Sequence, residues 1–204
     1  MADKINFSRI YLASRNPRRR ELLAQIGAQF DNIVFRSFAR EIDDTRRAGE
    51  SPSVYVERVA RAKAERAWRI VVERKLLRQP VLAANTIVEI DGRIIGKPVD
   101  EDDAKKNLRR LSGKHHRVLT AVAVVCGNRV ATRLSVSEVF FAPLAETQIN
   151  DYVASGEALA KAGAYGIHGR AGQFVEHLAG SYSGVLGLPL FETAELLRDF
   201  GYPI

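Results

Sequence analysis

Residues 81–98, VLAANTIVEIDGRIIGKP, constrain this chain more than any other stretch. Val81, Leu82, Ala83 and Ala84 enter as apolar core, and Ile87, Val88 and Ile90 leave the same way. Asp91-Gly92 follows between β-branched runs, a strong hairpin signal because both turn positions require φ > 0. The reading is a buried strand, a two-residue turn, a short return strand and a Lys97-Pro98 exit. In the middle of the apolar strand stands a polar pair, Asn85-Thr86. A buried polar group without a partner costs about 1–3 kcal/mol. The pair is therefore bonded by a neighbouring loop or faces a cleft, and the stretch alone fits both.

Upstream, residues 9–14 (RIYLAS) predict a first strand that breaks at Asn16-Pro17 into a helix, RRRELLAQIG, ending at Gly27. Asn at the N-cap, Pro at the first helical position and Gly past the end agree on its limits. Strand, tight turn and helix N-terminus is a geometry that favours an anion through backbone N–H groups and the helix dipole. Ser14 and three consecutive arginines, Arg18, Arg19 and Arg20, stand at that turn and weigh toward phosphate. Residues 30–36 alternate as a second strand, and an acidic loop then carries Glu41, Asp43 and Asp44. Ser51-Pro52 starts a long helix to about residue 77, with Val56, Ala60, Ala67 and Ile70 in one apolar row. Lys63 falls in that row, where it either snorkels from the core edge or points its ammonium into a cleft.

Downstream, Asp100-Glu-Asp-Asp opens a helix to residue 111, with acids suited to its N-terminal dipole. Residues 117–125 and 129–141 read as long strands joined at Gly127-Asn128. A short helix spans 146–154, residues 156–187 are glycine-rich, and Pro189 begins a final amphipathic helix to about residue 200. Strands mixed with helices, with two hairpins, predict an α/β fold: a mixed twisted sheet with flanking helices.

At 204 residues the chain suits one large domain or two small lobes. No run approaches the length of a membrane helix. The N-terminal stretch has charges where a signal peptide needs apolar residues, so a cytoplasmic protein is expected. The single cysteine, Cys126, excludes an intramolecular disulfide and a cysteine-rich zinc site, and its apolar surroundings predict a core thiol. The net charge of +7 points to an anionic partner without choosing one. Basic residues are interleaved with acidic ones and no recognition-helix or stacking signature is present, so no specific nucleic-acid partner is expected.

Common catalytic motifs fail on particular residues. Ser112-Gly113-Lys114 resembles the end of a P-loop, but Leu108 stands where its first glycine belongs. Gly180-Ser-Tyr-Ser-Gly184 resembles a nucleophile elbow, but Tyr182 holds the serine position. His115 and His116 are neighbours on a strand and point to opposite faces, so they cannot share a metal. What remains is a set of carboxylates (Glu41, Asp43, Asp44) and cations (Arg18, Arg19, Lys63, Lys97, Lys161). Oxygen ligands suit Mg²⁺ and cations suit a polyphosphate. Glycines such as Gly163, Gly166 and Gly169 let backbone approach a flat ligand. Residue chemistry alone thus reaches a nucleotide-phosphate site.

Four blocks go further: YLASRNPRRRELLAQIG, VLAANTIVEIDGRIIGKP, LRRLSGKHHRVLTAVAVV and YVASGEALAKAGAYGIHGRAGQFVEHLAGSYSGVLGLPLFET. Together they resemble the Maf family of nucleoside triphosphate pyrophosphatases, once described as septum-formation inhibitors. The resemblance implies a single Maf-like domain over residues 1–204, two lobes around a deep cleft, and a homodimer. The implied reaction is Mg²⁺- or Mn²⁺-dependent hydrolysis of a nucleoside triphosphate to the monophosphate and pyrophosphate. By motif, Ser14, Arg18 and Arg19 would hold phosphates, and Lys63 and Lys97 would neutralise charge on the transferring group. Asp44 would bind metal or water, together with the acid at position 85. Thr86, Lys161, Tyr165 and His168 would line the base pocket, and the KAGAYGI form suggests the branch preferring dTTP and UTP.

Two departures bear on this. The family's GADT is AANT here, so Asn85 stands at the position of the family Asp. An amide cannot act as a base and brings no negative charge to Mg²⁺. The resemblance therefore implies impaired catalysis, with a catalytically silent nucleotide-binding regulator linked to division as the alternative. His168 stands where this branch has Gln, which weakens the pyrimidine preference.

Overall fold

The computed structural model describes residues 7–33 and 42–204. Its central element is the strand read first, β3 (Val81–Ile90), whose ten residues are buried except for Asn85 and Thr86. On one side β3 pairs antiparallel along its length with β5 (His115–Cys126), which pairs with β6 (Arg129–Phe141) and so on to β7 (Val175–Ala179). On its other side β3 has two partners. Its start pairs in parallel with β1 (Ile10–Leu12), which pairs in parallel with β2 (Phe30–Asn32). Its end pairs antiparallel with the short return strand β4 (Arg93–Ile95), through Asp91 and Gly92 at φ 52° and 74°. The result is a seven-stranded mixed sheet.

β1 pairs only as far as Leu82 and β4 only from Val88 onward. Among the described residues no strand pairs with this edge of β3 between them, and Asn85-Thr86 sits in the gap. Side chains alternate along a strand. Ala83 and Ile87 join one core cluster, whereas Leu82 and Ala84 join the other. Asn85 and Thr86 thus serve opposite faces of the sheet at the same opening.

The 22-residue helix α2 (Pro52–Glu73) covers one face, starting at Ser51, whose hydroxyl accepts from Val54 N–H. Its buried row includes Val56, Ala60, Ala64, Ala67 and Val71, against Ala83, Ala121 and Ala123 of the sheet. Small side chains on both surfaces let helix and sheet approach closely. The opposite face carries α1 (Pro17–Gln25) and α6 (Leu190–Asp199) over Leu82, Ala84, Val122 and Val124. A third cluster packs α3 (Glu101–Leu111) and α4 (Glu146–Ala154) with residues 158–174 against the far ends of β3, β5 and β6. No helix among the described residues is long and apolar enough to cross a membrane.

The sequence limits shift where backbone chemistry intervenes. α2 stops at Glu73 rather than near residue 77, because Lys75 takes a left-handed conformation at φ 53° and leaves Leu77 exposed. The first strand narrows to Ile10–Leu12, since Ser14 already turns to accept a bond from Asn16 N–H. β5 takes in His115 and His116, expected on a strand, ahead of the run from residue 117, and pairs them to Phe140 and Val139. Pro189 is the N-cap of the last helix rather than its first residue. The glycine-rich segment, for which the sequence predicted no element, holds β7 and the short helix α5 (Tyr182–Leu186). Cys126 is half-buried at the edge of a cluster rather than inside it. Residues 34–36 of the predicted second strand, and Glu41, lie outside the described residues.

Candidate active site

The gap in the β3 edge opens into a cleft of about 710 Å³. Helix α1, helix α2 and β3 line one end; residues 159–168 line the other. Every residue to which the family resemblance gave a site role borders it, on six separate parts of the chain; Asp43 does not.

Arg19 is the most committed of them. The side chain is buried and reaches two backbone carbonyls and two hydroxyls. Its Nε donates to Gly187 O at 2.7 Å, Nη1 to Ala84 O at 2.8 Å, and Nη2 to Thr86 Oγ1 at 3.1 Å. A longer contact of 3.4 Å runs from Nη1 to Ser14 Oγ. Ala84 O lies in the stretch of β3 edge without a strand partner, so Arg19 satisfies what the sheet leaves open. Burial lowers its pKa to about 10, which still leaves a full charge at neutral pH. Arg19 therefore lends charge to the cleft while its N–H groups hold the fold.

The hydroxyl of Thr86 continues this network. Thr120 Oγ1 lies 3.0 Å from Thr86 Oγ1 and 2.7 Å from Gly184 O. A carbonyl only accepts, so Thr120 donates to Gly184 while Thr86 accepts from Arg19 and donates to Thr120. Thr86 is thereby a brace between β3, β5 and α5 and has no free proton for a base. Thr120 was not anticipated. The signal was available: it is the polar residue of β5 set directly opposite Thr86 in register.

On the other face Lys63 points into the cleft rather than out to solvent. Its Nζ donates to Asn85 Oδ1 at 2.8 Å. Burial, then the charge of Arg19, lowers its pKa to about 7; Asp44 opposes this, and Lys97 adds a lesser lowering effect. A carboxylate at position 85 would hold the ammonium charged; an amide cannot. One lone pair of Asn85 Oδ1 is taken by the lysine, and its other terminus, NH₂, only donates.

Two expectations at the α1 terminus change. Arg18 N–H is capped by Asn16 Oδ1, Arg19 N–H is bonded to Asn16 O, and Pro17 has none. The backbone seat for an anion is closed, and only the dipole remains. The Arg18 side chain is half-exposed at the cleft mouth, 2.6 Å from Glu21. Such an exposed helix pair contributes little to stability.

At the far end, residues 161–168 wrap the cleft through glycine. Gly163 is at φ 72° and a Cβ there would lie 2.8 Å from Val88 Cγ2. Gly166 is flanked by Lys161 and His168, whose carbons a Cβ would approach at 2.9 and 3.0 Å. Lys161 Nζ donates to Glu157 O at 2.6 Å. Tyr165 is a wall rather than a hydrogen-bonding contact: its hydroxyl turns into the core, 2.8 Å from Nε2 of buried His116. Burial pushes His116 down to about 4, so the ring is neutral and fit to accept from the phenol. His168 stands exposed at the rim, held below its ordinary value by partial burial, Arg18 and Lys161.

Among the described residues no three His, Cys, Asp or Glu come together as a metal cluster. The cleft's own oxygen donors are the Asp44 carboxylate, the Asn85 amide and the hydroxyls of Ser14 and Thr86. One carboxylate fits Mg²⁺ held largely by a ligand's phosphates, not an all-protein cage.

With an anion-receptive cleft of this kind on a mixed α/β sheet, comparison with known proteins is informative. The model of the Maf-like protein family matches residues 9–200, so the chain belongs to that family. The chain is 55% identical over 201 residues to a protein of Aromatoleum aromaticum named dTTP/UTP pyrophosphatase, covering 97% of this chain and 98% of that one. It is 58% identical over 197 residues to a protein of the same name from Dechloromonas aromatica, covering 95% and 98%. A solved HAM1 protein from Coxiella burnetii aligns with a TM-score of 0.49 at 16% identity, over 95% of this chain and 100% of that one.

Proposed function

We propose that this chain binds a nucleoside triphosphate, with dTTP and UTP preferred, and hydrolyses it to the monophosphate and pyrophosphate at a rate limited by Asn85. One observation carries the reading. Among the described residues lining the cleft are six Arg and Lys side chains (Arg15, Arg18, Arg19, Lys63, Lys97, Lys161) and a single carboxylate, Asp44. So much positive charge in a low-dielectric cleft favours a polyanion strongly. The relatives' name supplies the pyrimidine preference, and the glycine-built far end supports a pocket for a flat ring.

In the proposed mechanism a water attacks the α-phosphorus, the bond to the bridging oxygen breaks, and pyrophosphate carries away the electron pair. Lys63 and Lys97 face the charge that builds on the departing group, where fixed cations lower the barrier most. Arg19 keeps Thr86 and Ala84 in place and adds its buried charge. A Mg²⁺ or Mn²⁺ ion, held by Asp44 and the substrate's phosphates, would add Lewis-acid polarisation of the phosphoryl oxygens. Asn85 orients Lys63 but accepts no proton, so the water lacks the acid–base partner that the family carboxylate offers.

Restoring that carboxylate is the test. Asn85→Asp should raise pyrophosphate release from dTTP and UTP by roughly 10²–10⁴, the usual worth of a positioned acid–base group. The side chains are nearly isosteric, so folding should not change. A coupled pyrophosphate assay on both forms, with Mg²⁺ or Mn²⁺, reads the result. Equal and high activity in both forms would move the base to another residue, Asp44 first. Binding without turnover in either form would favour the silent regulator.

A further inference from the structure

Asp44 reaches the cleft from a loop, yet that loop is gripped at three consecutive carbonyls by the first two turns of α2. Arg58 Nη1 donates to Asp43 O at 2.9 Å and Nη2 to Thr45 O at 2.8 Å. Tyr55 OH donates to Asp44 O at 2.7 Å. The Arg58 fork is itself anchored by Glu50, with Nε to Oε1 at 2.6 Å and Nη2 to Oε2 at 2.9 Å. Glu50 is buried, and Arg58 holds its carboxyl down at about 2, with help from the Arg47 N–H that Oε2 also accepts. Arg46 Nε closes the loop on itself by donating to Glu50 O. Arg58 further lies over the Tyr55 ring, 5.5 Å from its centroid.

Loops carry their backbone groups to water by default. Here three successive carbonyls of an exposed loop are bonded by two side chains of a rigid helix that also carries Lys63. The middle one of the three carbonyls is Asp44's own, so the grip holds the backbone that carries its carboxylate into a cleft lined also by Lys63 and Asn85. The spread fork of a planar guanidinium reaches two carbonyls and both carboxylate oxygens at once, four acceptors that the three donors of a point-like ammonium do not match.

We infer that Arg58, anchored by Glu50 and assisted by Tyr55, is a positioning residue that holds Asp44 at the phosphate end of the cleft. The inference rests on the proposed reading of Asp44 as the carboxylate facing metal-bound phosphates. Arg58 touches neither ligand nor reacting atoms; it acts through the loop.

The test combines two readouts on the full-length chain. Trypsin cuts after arginine, and Arg46 and Arg47 lie in the gripped loop. In Arg58→Met, cleavage at those two sites should accelerate by about tenfold or more, as local opening no longer breaks several hydrogen bonds. The single Trp68 on α2 reports by fluorescence that the helix stays folded. The second readout is dTTP affinity in Mg²⁺ for Asp44→Ala, Arg58→Met, the double variant, and Arg58→Lys. Asp44→Ala and Arg58→Met should each weaken binding by about tenfold, and the double variant no more than either, because one acts through the other. Arg58→Lys should resemble Arg58→Met, since a point charge cannot replace the fork. Additive losses in the double variant would overturn the inference and make Arg58 a separate contributor. Loss with Asp44→Ala but none with Arg58→Met would overturn it while leaving the reading of Asp44 intact. No loss with Asp44→Ala, with dTTP still bound, would remove the reading of Asp44 and the inference with it.

Discussion

At the end of the cleft where β3 leaves its edge open, Arg19, Lys63 and Thr86 stand on helices or a strand and bond to other protein groups. Arg19 bonds Gly187, Ala84 and Thr86; Lys63 bonds Asn85; Thr86 bonds Thr120. The opposite end is made of turns. Residues 159–168 include Ala160 and Ala164 at positive φ, Gly163 at φ 72°, and an exposed histidine at the rim. The first end is thus part of what holds the sheet together, whereas the second hangs on it. A substitution at the first end should therefore register in stability as well as binding, and one at the exposed rim of the second, the proposed base end, in selectivity alone.

The largest expected effect breaks the comparison at Arg19. On resemblance alone Arg19 reads as a phosphate ligand whose loss leaves folding unchanged. Its geometry says otherwise. Arg19→Met would leave Ala84 O, Gly187 O and the Thr86 hydroxyl without their donor, at about 1–3 kcal/mol for each acceptor that finds no water. We expect unfolding free energy to fall by about 3–5 kcal/mol, the scale of breaking a buried charged network, read from urea denaturation. Unchanged stability with weakened dTTP binding would return Arg19 to the role of a plain phosphate ligand.

A smaller effect follows from Lys63. Its folded pKa of about 7 lies below the ordinary 10.5, because burial and neighbouring cations disfavour the charge. An incoming triphosphate reverses that balance and raises the pKa in the complex. The bound state then holds more protons than the free one between the two values. Affinity for dTTP should be flat below pH 7 and fall above it, by at most about tenfold per pH unit for one proton. Calorimetry at pH 8 in buffers of different ionisation enthalpy should show uptake of up to about one proton, lost in Lys63→Met. Asn85→Asp should abolish most of the uptake, since a carboxylate already keeps Lys63 charged. Proton uptake unaltered in Lys63→Met would assign the titration to another group.

The contrast between the two ends also explains how much could be read from the chain. The phosphate end was legible because strands and helices announce themselves locally. Alternation around Asn85-Thr86, the Asn16-Pro17 pair and the row containing Lys63 each located a residue that does border the cleft. What could not be read was partnership. That Arg19 spends its fork on carbonyls depends on the gap between β1 and β4, a matter of which strands stop where. The helix cap that marked α1 correctly also uses up the amides expected to hold an anion. At the base end Tyr165 was found as a residue but not its direction, because His116, buried and 49 positions earlier, decides where the phenol points. Arg58 and Tyr55 lie on the same helix as Lys63 and Glu50 just precedes it, yet the bonds of Arg58 and Tyr55 to carbonyls leave no trace in side-chain pattern.

The smallest effect sharpens the base end. His168 is exposed at the rim beside Gly166, and its pKa is already depressed by partial burial, Arg18 and Lys161. A neutral imidazole offers one donor and one acceptor, enough to touch a pyrimidine edge without fixing it in two bonds. Water competes at an exposed site, so the contact is worth about 0.5–1 kcal/mol, or roughly three- to fivefold in affinity. His168→Ala should therefore weaken dTTP and UTP by that factor and leave ATP, GTP and pyrophosphate unaffected. His168→Gln should recover the loss, since an amide offers a donor and an acceptor side by side. Thermal stability should not move, in contrast with Arg19. Competition binding with all four nucleotides and pyrophosphate separates the outcomes. An equal loss for every ligand, pyrophosphate included, would place His168 on the phosphates beside Arg18 and Lys161, and the reading of the base would pass to the backbone of residues 163–167.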